Sequence, residues 1–156
     1  MRYPMLEVGQ TFPEFALEDQ RGRVYSNEIL KGKIFVIYFY PKDDTPGCTT
    51  EACGFRDSLA LYEDAVVLGV SPDHFMSHRK FSDKFSLTFP LLSDTSHRLC
   101  EAVGVWVEKL NYGKPYMGVI RTTFLVDREG RVAHLWQKVK PEGHAAEVQA
   151  EIAKLR

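Results

Sequence analysis

The chain has 156 residues, a formal net charge of −1 and about a quarter charged residues, enough for one domain that buries on the order of 70% of its unfolded surface without help from disulfides or metals. With 20 Lys and Arg against 21 Asp and Glu, no basic face suggests nucleic acid and no charge run marks a disordered tail. No apolar run approaches a membrane span, and Met1-Arg2-Tyr3-Pro4-Met5-Leu6-Glu7 lacks the apolar core of a signal peptide, so the expectation is a single domain over residues 1–156, placed in the cytoplasm.

Val8 to Phe15 carries apolar residues punctuated by Gly9 and Pro13, and Leu17 precedes the turn-like Asp19-Gln20-Arg21-Gly22, which predicts short extended pieces. Ser26 is placed to cap a helical turn through Leu30, ended by Lys31-Gly32. Lys33 to Tyr40 is rich in Ile, Phe, Val and Tyr and reads as a strand buried on both faces. From Thr45 to about Asp64 a helical pattern puts Ala52, Phe55, Leu59 and Tyr62 on one stripe, with Arg56, Asp57 and Glu63 off it. Ala65 to Val70 predicts a second buried strand, and His74 to Phe85 a surface helix carrying Phe75, Phe81 and Phe85. Thr88 to Leu92 reads as a short extended piece, followed by a helix from Ser96 to about Val103. The segment from Trp106 to Gly118, with Gly113 and Pro115, reads as a long loop. Val119 to Val126 and Arg131 to Val139 flank Asp127-Arg128-Glu129-Gly130, a hairpin signal. A last helix from about His144 to Leu155 turns Ala145, Val148, Ile152 and Leu155 inward. This order predicts an α/β fold with a mixed central sheet flanked by helices.

The chemistry concentrates where the first buried strand meets the first long helix. Thr45 can cap that helix and Pro46 suits its first position, which puts Cys48 in the first turn. There the unpaired N–H groups and the positive end of the helix dipole favour a negative sulfur. A buried, inert cysteine is the plain alternative, but a core cysteine has no need of the Thr45-Pro46-Gly47 lead-in, whereas Gly47 lets a substrate approach the backbone closely. In a reducing compartment the three cysteines rest as thiols, so Cys48 and Cys53 read as a catalytic or metal pair rather than a structural bridge. At five residues apart in an intact helix their Cα atoms lie about 8.6 Å apart on different faces, and a disulfide, which needs less than about 7 Å, forms only if the helix opens.

Pro41, Thr45 and Cys48 spell Pro-x-x-x-Thr-x-x-Cys, which resembles the signature of the peroxiredoxins, cysteine-dependent peroxidases. The longer string from Phe39 to Cys53 is similar to one branch, the peroxiredoxin Q or bacterioferritin comigratory protein group. The resemblance covers most of the chain, including the opening Gly9 to Phe15. It implies a thioredoxin-like fold and a peroxidase acting on hydrogen peroxide and organic hydroperoxides. It also implies Cys48 as the sulfur attacked by peroxide, Cys53 as the resolving thiol on the same helix, and thioredoxin or a similar dithiol as reductant. Metal, haem and flavin are not required, and a monomer or weak homodimer is expected. Thr45 and the N–H groups of Gly47 and Cys48 are candidates to hold the peroxide oxygens. Arg121 enters an otherwise apolar run and would be costly to bury without an anion; its place resembles that of the arginine that contacts the reactive sulfur, although a solvent-facing strand end is the plain reading. Glu51 matches an acid that orients this arginine, and by sequence alone is equally an exposed helix residue.

Cys100, beside Leu99 and Val103, reads as core. His97 with Cys100, or His74 with His78, would make half a metal site, but neither has a third ligand, and surface histidines are the expectation. Two rival functions are a thioredoxin-type thiol-disulfide oxidoreductase, which normally shows Cys-x-x-Cys, and a redox-sensing binding protein whose helix opening exposes a partner site.

Overall fold

A computed structural model describes residues 4–156; Met1 to Tyr3, part of the stretch searched above for a leader, lie outside the described residues. Strands β1 (Ala16–Glu18) and β2 (Val24–Ser26) pair antiparallel, their turn braced by Asp19 Oδ1, which accepts from the N–H groups of Arg21 and Arg23. The short helix α1 (Asn27–Leu30) leads into β3 (Phe35–Phe39), every residue of which is buried. Helix α2 (Pro46–Tyr62) follows, then β4 (Val66–Ser71), α3 (Phe75–Phe85), β5 (Leu91–Ser93) and α4 (Arg98–Val103). The second half contains β6 (Trp106–Asn111), β7 (Lys114–Val119), β8 (Thr122–Val126), β9 (Val132–Gln137) and α5 (His144–Lys154).

Five strands form the central sheet in the order β5-β4-β3-β8-β9, with β3 parallel to β4 and antiparallel to β8. The unbroken apolar run of β3 is thereby explained: it occupies the middle of the sheet with both faces covered. Alternate side chains serve opposite faces. Val36, Tyr38 and Tyr40 pack with Cys48, Ala52, Phe55 and Tyr62 of α2 and Val148 and Ile152 of α5. Phe35, Ile37 and Phe39 join Phe12, Leu99, Cys100, Val103 and Phe124 on the other side. Phe55 is the chief anchor of α2: fully buried, it stacks on Tyr38 at 4.7 Å between ring centroids, and burying such a side chain contributes about 2–3 kcal/mol. Its edge meets the ring of His144, which in turn meets Trp136 at 5.5 Å. Tyr62 closes the α2–α5 contact, its hydroxyl donating to the Ala145 carbonyl at 2.6 Å.

The structure corrects the reading of residues 106–118 as a loop. They form the antiparallel β6–β7 ribbon, joined at Tyr112-Gly113, both with positive φ of 52° and 79°, the geometry of a two-residue turn that matches strand twist. Most of the ribbon's side chains are exposed, Leu110 and Tyr112 among them, so no apolar alternation marked it as sheet. Val119 accordingly ends β7 rather than beginning the next strand, and Arg121 falls in the break before β8.

Candidate active site

The chain leaves β3 through Tyr40 and Pro41, the latter half-buried, and reaches α2 by way of Lys42, Asp43, Asp44 and Thr45. Thr45 has the extended conformation of a capping residue (φ −96°, ψ 154°), and its carbonyl accepts from the Thr49 N–H at 2.8 Å. Its hydroxyl, expected to cap the helix, donates instead to the Lys42 carbonyl at 3.0 Å, closing the loop on itself. The N–H groups of Gly47 and Cys48 therefore stand in the first turn without an intrahelical acceptor.

Cys48 is a free, buried thiol. Arg121 crosses to it from the β7–β8 break: Nη2 donates to Cys48 Sγ at 3.2 Å, and Nη1 donates to Glu51 Oε1 at 2.7 Å. Three residues apart on one helix, Cys48 and Glu51 share a face, so one planar guanidinium spans both. Glu51 is fully buried, not the exposed helix residue that the sequence left open. Burial pushes its carboxyl up to about 7, against the opposing pull of Arg121. Burial acts to lower the guanidinium's own pKa, but Glu51 and Cys48 together hold it above its ordinary value. Gly47 makes room: a Cβ there would lie 3.1 Å from Arg121 Nη2 and 3.6 Å from Pro141 Cγ. Above the sulfur's face of the sheet, burial and then Glu51 and Cys48 push the Tyr38 hydroxyl well up, so it stays neutral.

Cys53 is a half-buried free thiol on the same uninterrupted helix, on a different face from Cys48. Thr45, Pro41 and Cys53 are thus near in sequence, while Cys48, Arg121, Glu51 and Gly47 are those the fold brings into contact. Cys100 is core, as expected: fully buried between α4 and the sheet, its N–H donates to Asp94 Oδ2, and burial with Asp94 drives its thiol well up.

The expectation that His74 and His78 are surface histidines fails for His78. Its ring is wholly buried, with Nδ1 2.6 Å from Asp43 Oδ2 and Nε2 3.0 Å from the Leu92 carbonyl. Its spacing from Phe81 and Phe85 put it on the inward stripe of α3, a signal present in the sequence and overridden by its polarity. Asp43, in the loop before Cys48, was likewise passed over. With Asp73 these form the grouping of potential metal-ligand atoms found among the described residues, but they are bonded to one another at hydrogen-bond distance.

A buried thiol in the first turn of a helix laid against a thioredoxin-like mixed sheet, with an arginine on the sulfur, is the arrangement of a thiol-based oxidoreductase. The chain belongs to the AhpC/TSA family, whose model matches residues 8–135, and within it to the peroxiredoxins of the Bcp or PrxQ group. It is 51% identical over 144 residues to peroxiredoxin Bcp of Bacillus subtilis, covering 91% of this chain and 92% of that protein. The bacterioferritin comigratory protein of Xanthomonas campestris, whose solved structures concern its alkyl peroxide reduction activity, superposes with a TM-score of 0.87 at 43% identity and 96% coverage of both chains. PrxQ of Xylella fastidiosa superposes with a TM-score of 0.91 at 35% identity, covering 97% of this chain and 98% of that one.

Proposed function

We propose that this peroxiredoxin reduces hydrogen peroxide and organic hydroperoxides through Cys48 and is recycled through Cys53. The observation that carries the reading is the Arg121 guanidinium, which donates to Cys48 Sγ at 3.2 Å while Glu51 holds its other arm. The Cys48 thiolate attacks one peroxide oxygen; an S–O bond forms as the O–O bond breaks, and the departing hydroxide or alkoxide takes a proton from water. Sulfur is oxidised to a sulfenic acid and the peroxide reduced to water or alcohol. Arg121 and the N–H groups of Gly47 and Cys48 face the charge that develops on the oxygens. The Thr45 hydroxyl has its hydrogen engaged by Lys42, which leaves its oxygen free to accept from the peroxide O–H. Pro41 fixes the start of this loop.

The Cys53 sulfur then attacks the Cys48 sulfur, forming the disulfide as the S–O bond breaks, the Cys53 thiol proton leaving with the displaced hydroxyl as water, and a dithiol of the thioredoxin class reduces the disulfide by exchange. Because both cysteines lie on one regular helix, this step requires α2 to unwind locally. The alkyl peroxide activity of the Xanthomonas protein supports the substrate range. The test is peroxide-dependent oxidation of thioredoxin by wild type, Cys48→Ser and Cys53→Ser. Turnover in wild type that Cys48→Ser abolishes is expected, and turnover that survives Cys48→Ser overturns the assignment.

A further inference from the structure

Asp43 and His78 touch neither the sulfur nor Arg121, yet the loop before Cys48 is tied down at Asp43 more heavily than anywhere else. Both ring nitrogens of His78 face acceptors, Asp43 Oδ2 at 2.6 Å and the Leu92 carbonyl at 3.0 Å. The Leu92 carbonyl can only accept, so Nε2 carries a hydrogen, and the short Nδ1–Asp43 bond fixes the ring from its other side. Asp43 Oδ1 also accepts from the Tyr40 hydroxyl at 2.6 Å, and Oδ2 from the Ser77 hydroxyl at 2.8 Å. Its backbone N–H donates to Asp73 Oδ2 at 2.8 Å, an oxygen also held by the Ser71 hydroxyl at 2.7 Å. The end of β3, the end of β4, α3 and β5 therefore all converge on one loop residue.

Both side chains are buried, and a buried polar group that loses its hydrogen-bond partner costs the fold its full desolvation penalty. The next residue, Asp44, is exposed and left-handed (φ 58°), a conformation that persists in a non-glycine residue when its surroundings impose it. That turn aims the chain into Pro46 and sets where the first turn of α2 begins. Arg121 reaches Cys48 from another part of the sheet, so the 3.2 Å contact depends on two independently anchored segments meeting. The Asp43–His78 clamp fixes one of them.

Resting on the peroxidase reading of Cys48 and going beyond it, we propose that Asp43 and His78 are positioning residues for peroxide reduction, a buried hydrogen-bonded pair that registers the Pro41–Thr45 loop against Arg121. Misplacing reacting groups by about an ångström can cost on the order of 100-fold in rate. Alkylation by iodoacetamide needs a thiolate but none of the peroxide-holding geometry.

The experiment compares the second-order rate with hydrogen peroxide, followed by mass spectrometry of quenched samples, with the rate of Cys48 alkylation by iodoacetamide. The proteins are wild type, Asp43→Asn, His78→Gln and Tyr40→Phe, with folding checked by circular dichroism. The first two variants are expected to lose about 10- to 100-fold in the peroxide rate while alkylation stays within about twofold or rises. Tyr40→Phe, which removes one bond to Asp43, is expected to lose a few-fold with the same selectivity. If the charge-altering variants fail to fold, Tyr40→Phe decides alone. A peroxide rate unchanged in the folded variants, or both rates falling together, overturns the proposal. Failure of the underlying function looks different: wild type itself would not react with peroxide.

Discussion

Arg121 donates to two groups at once, the Cys48 sulfur and the Glu51 carboxyl. Replacing it by alanine removes the donor at 3.2 Å from Cys48 and strands a buried Glu51. Arg121→Ala is expected to lower the peroxide rate by about 100- to 1,000-fold, the usual consequence of deleting a preorganised donor, and stopped-time thiol quantification would show it. Glu51 gives a pH prediction with a definite sign. Its folded pKa of about 7 lies above the ordinary 4.5 because burial favours the neutral form. The native state therefore holds the proton more tightly, and this contribution is complete below about pH 4.5 and is lost as the pH climbs through 7. The shift corresponds to about 3 kcal/mol. Wild type should lose roughly that much stability relative to Glu51→Gln between pH 4.5 and 8, measured by urea unfolding under reducing conditions; parallel pH curves would contradict it. The identities of Cys48, Glu51 and Arg121 were legible in the sequence because each stands at a marked place, whereas the contact among them spans 70 residues and needed the fold. Asp43 was not legible and His78 only through its spacing on the inward stripe of α3, because a buried polar group becomes intelligible only when its partners are known.

Among the elements, α2 carries opposed demands under the proposed mechanism: it must be regular enough to hold Cys48 under Arg121 and weak enough to open for Cys53. Gly54, next to Cys53, is a built-in weakness, since glycine inside a helix costs about 1 kcal/mol relative to alanine. A Cβ at Gly54 would meet Ala145 Cβ at 3.7 Å, an ordinary contact. Gly54→Ala should thus be accommodated, stabilise the helical state by up to about 1 kcal/mol, and slow disulfide formation up to about fivefold. The unresolved sulfenic acid should then overoxidise at lower peroxide concentration, which intact-mass measurement across a peroxide titration would reveal. Equal resolution rates in the two proteins would mean that opening of α2 does not limit the step. Helix and strand patterns were readable wherever burial shaped the choice of residues, on both faces in β3 and along one stripe in α5. They were silent for the β6–β7 ribbon, whose stability comes from its own hydrogen bonds and turn geometry rather than from an apolar stripe.

At the scale of the whole molecule, the middle of the sheet is packed tightly beneath α2. Gly69 lies in β4 beside both Tyr38 and Leu91, where a Cβ would come within 2.8 Å of Leu91 Cδ2 and 2.9 Å of the Tyr38 ring. Both neighbours are fully buried, so Gly69→Ala should destabilise by about 1–3 kcal/mol through overpacking, read as a lowered urea midpoint. A midpoint unchanged from wild type would show that this layer yields more easily than its packing implies. The chain's two tryptophans sit on opposite terms with this machinery. Trp106 lies flat on His97 at 4.2 Å, while Trp136 touches His144, whose other aromatic contact is Phe55 on the helix that the proposed disulfide opens. The protein thereby contains its own optical probe: emission should shift in step with the thiol-to-disulfide cycle, Trp136→Phe should silence that change, and Trp106→Phe should leave it in place.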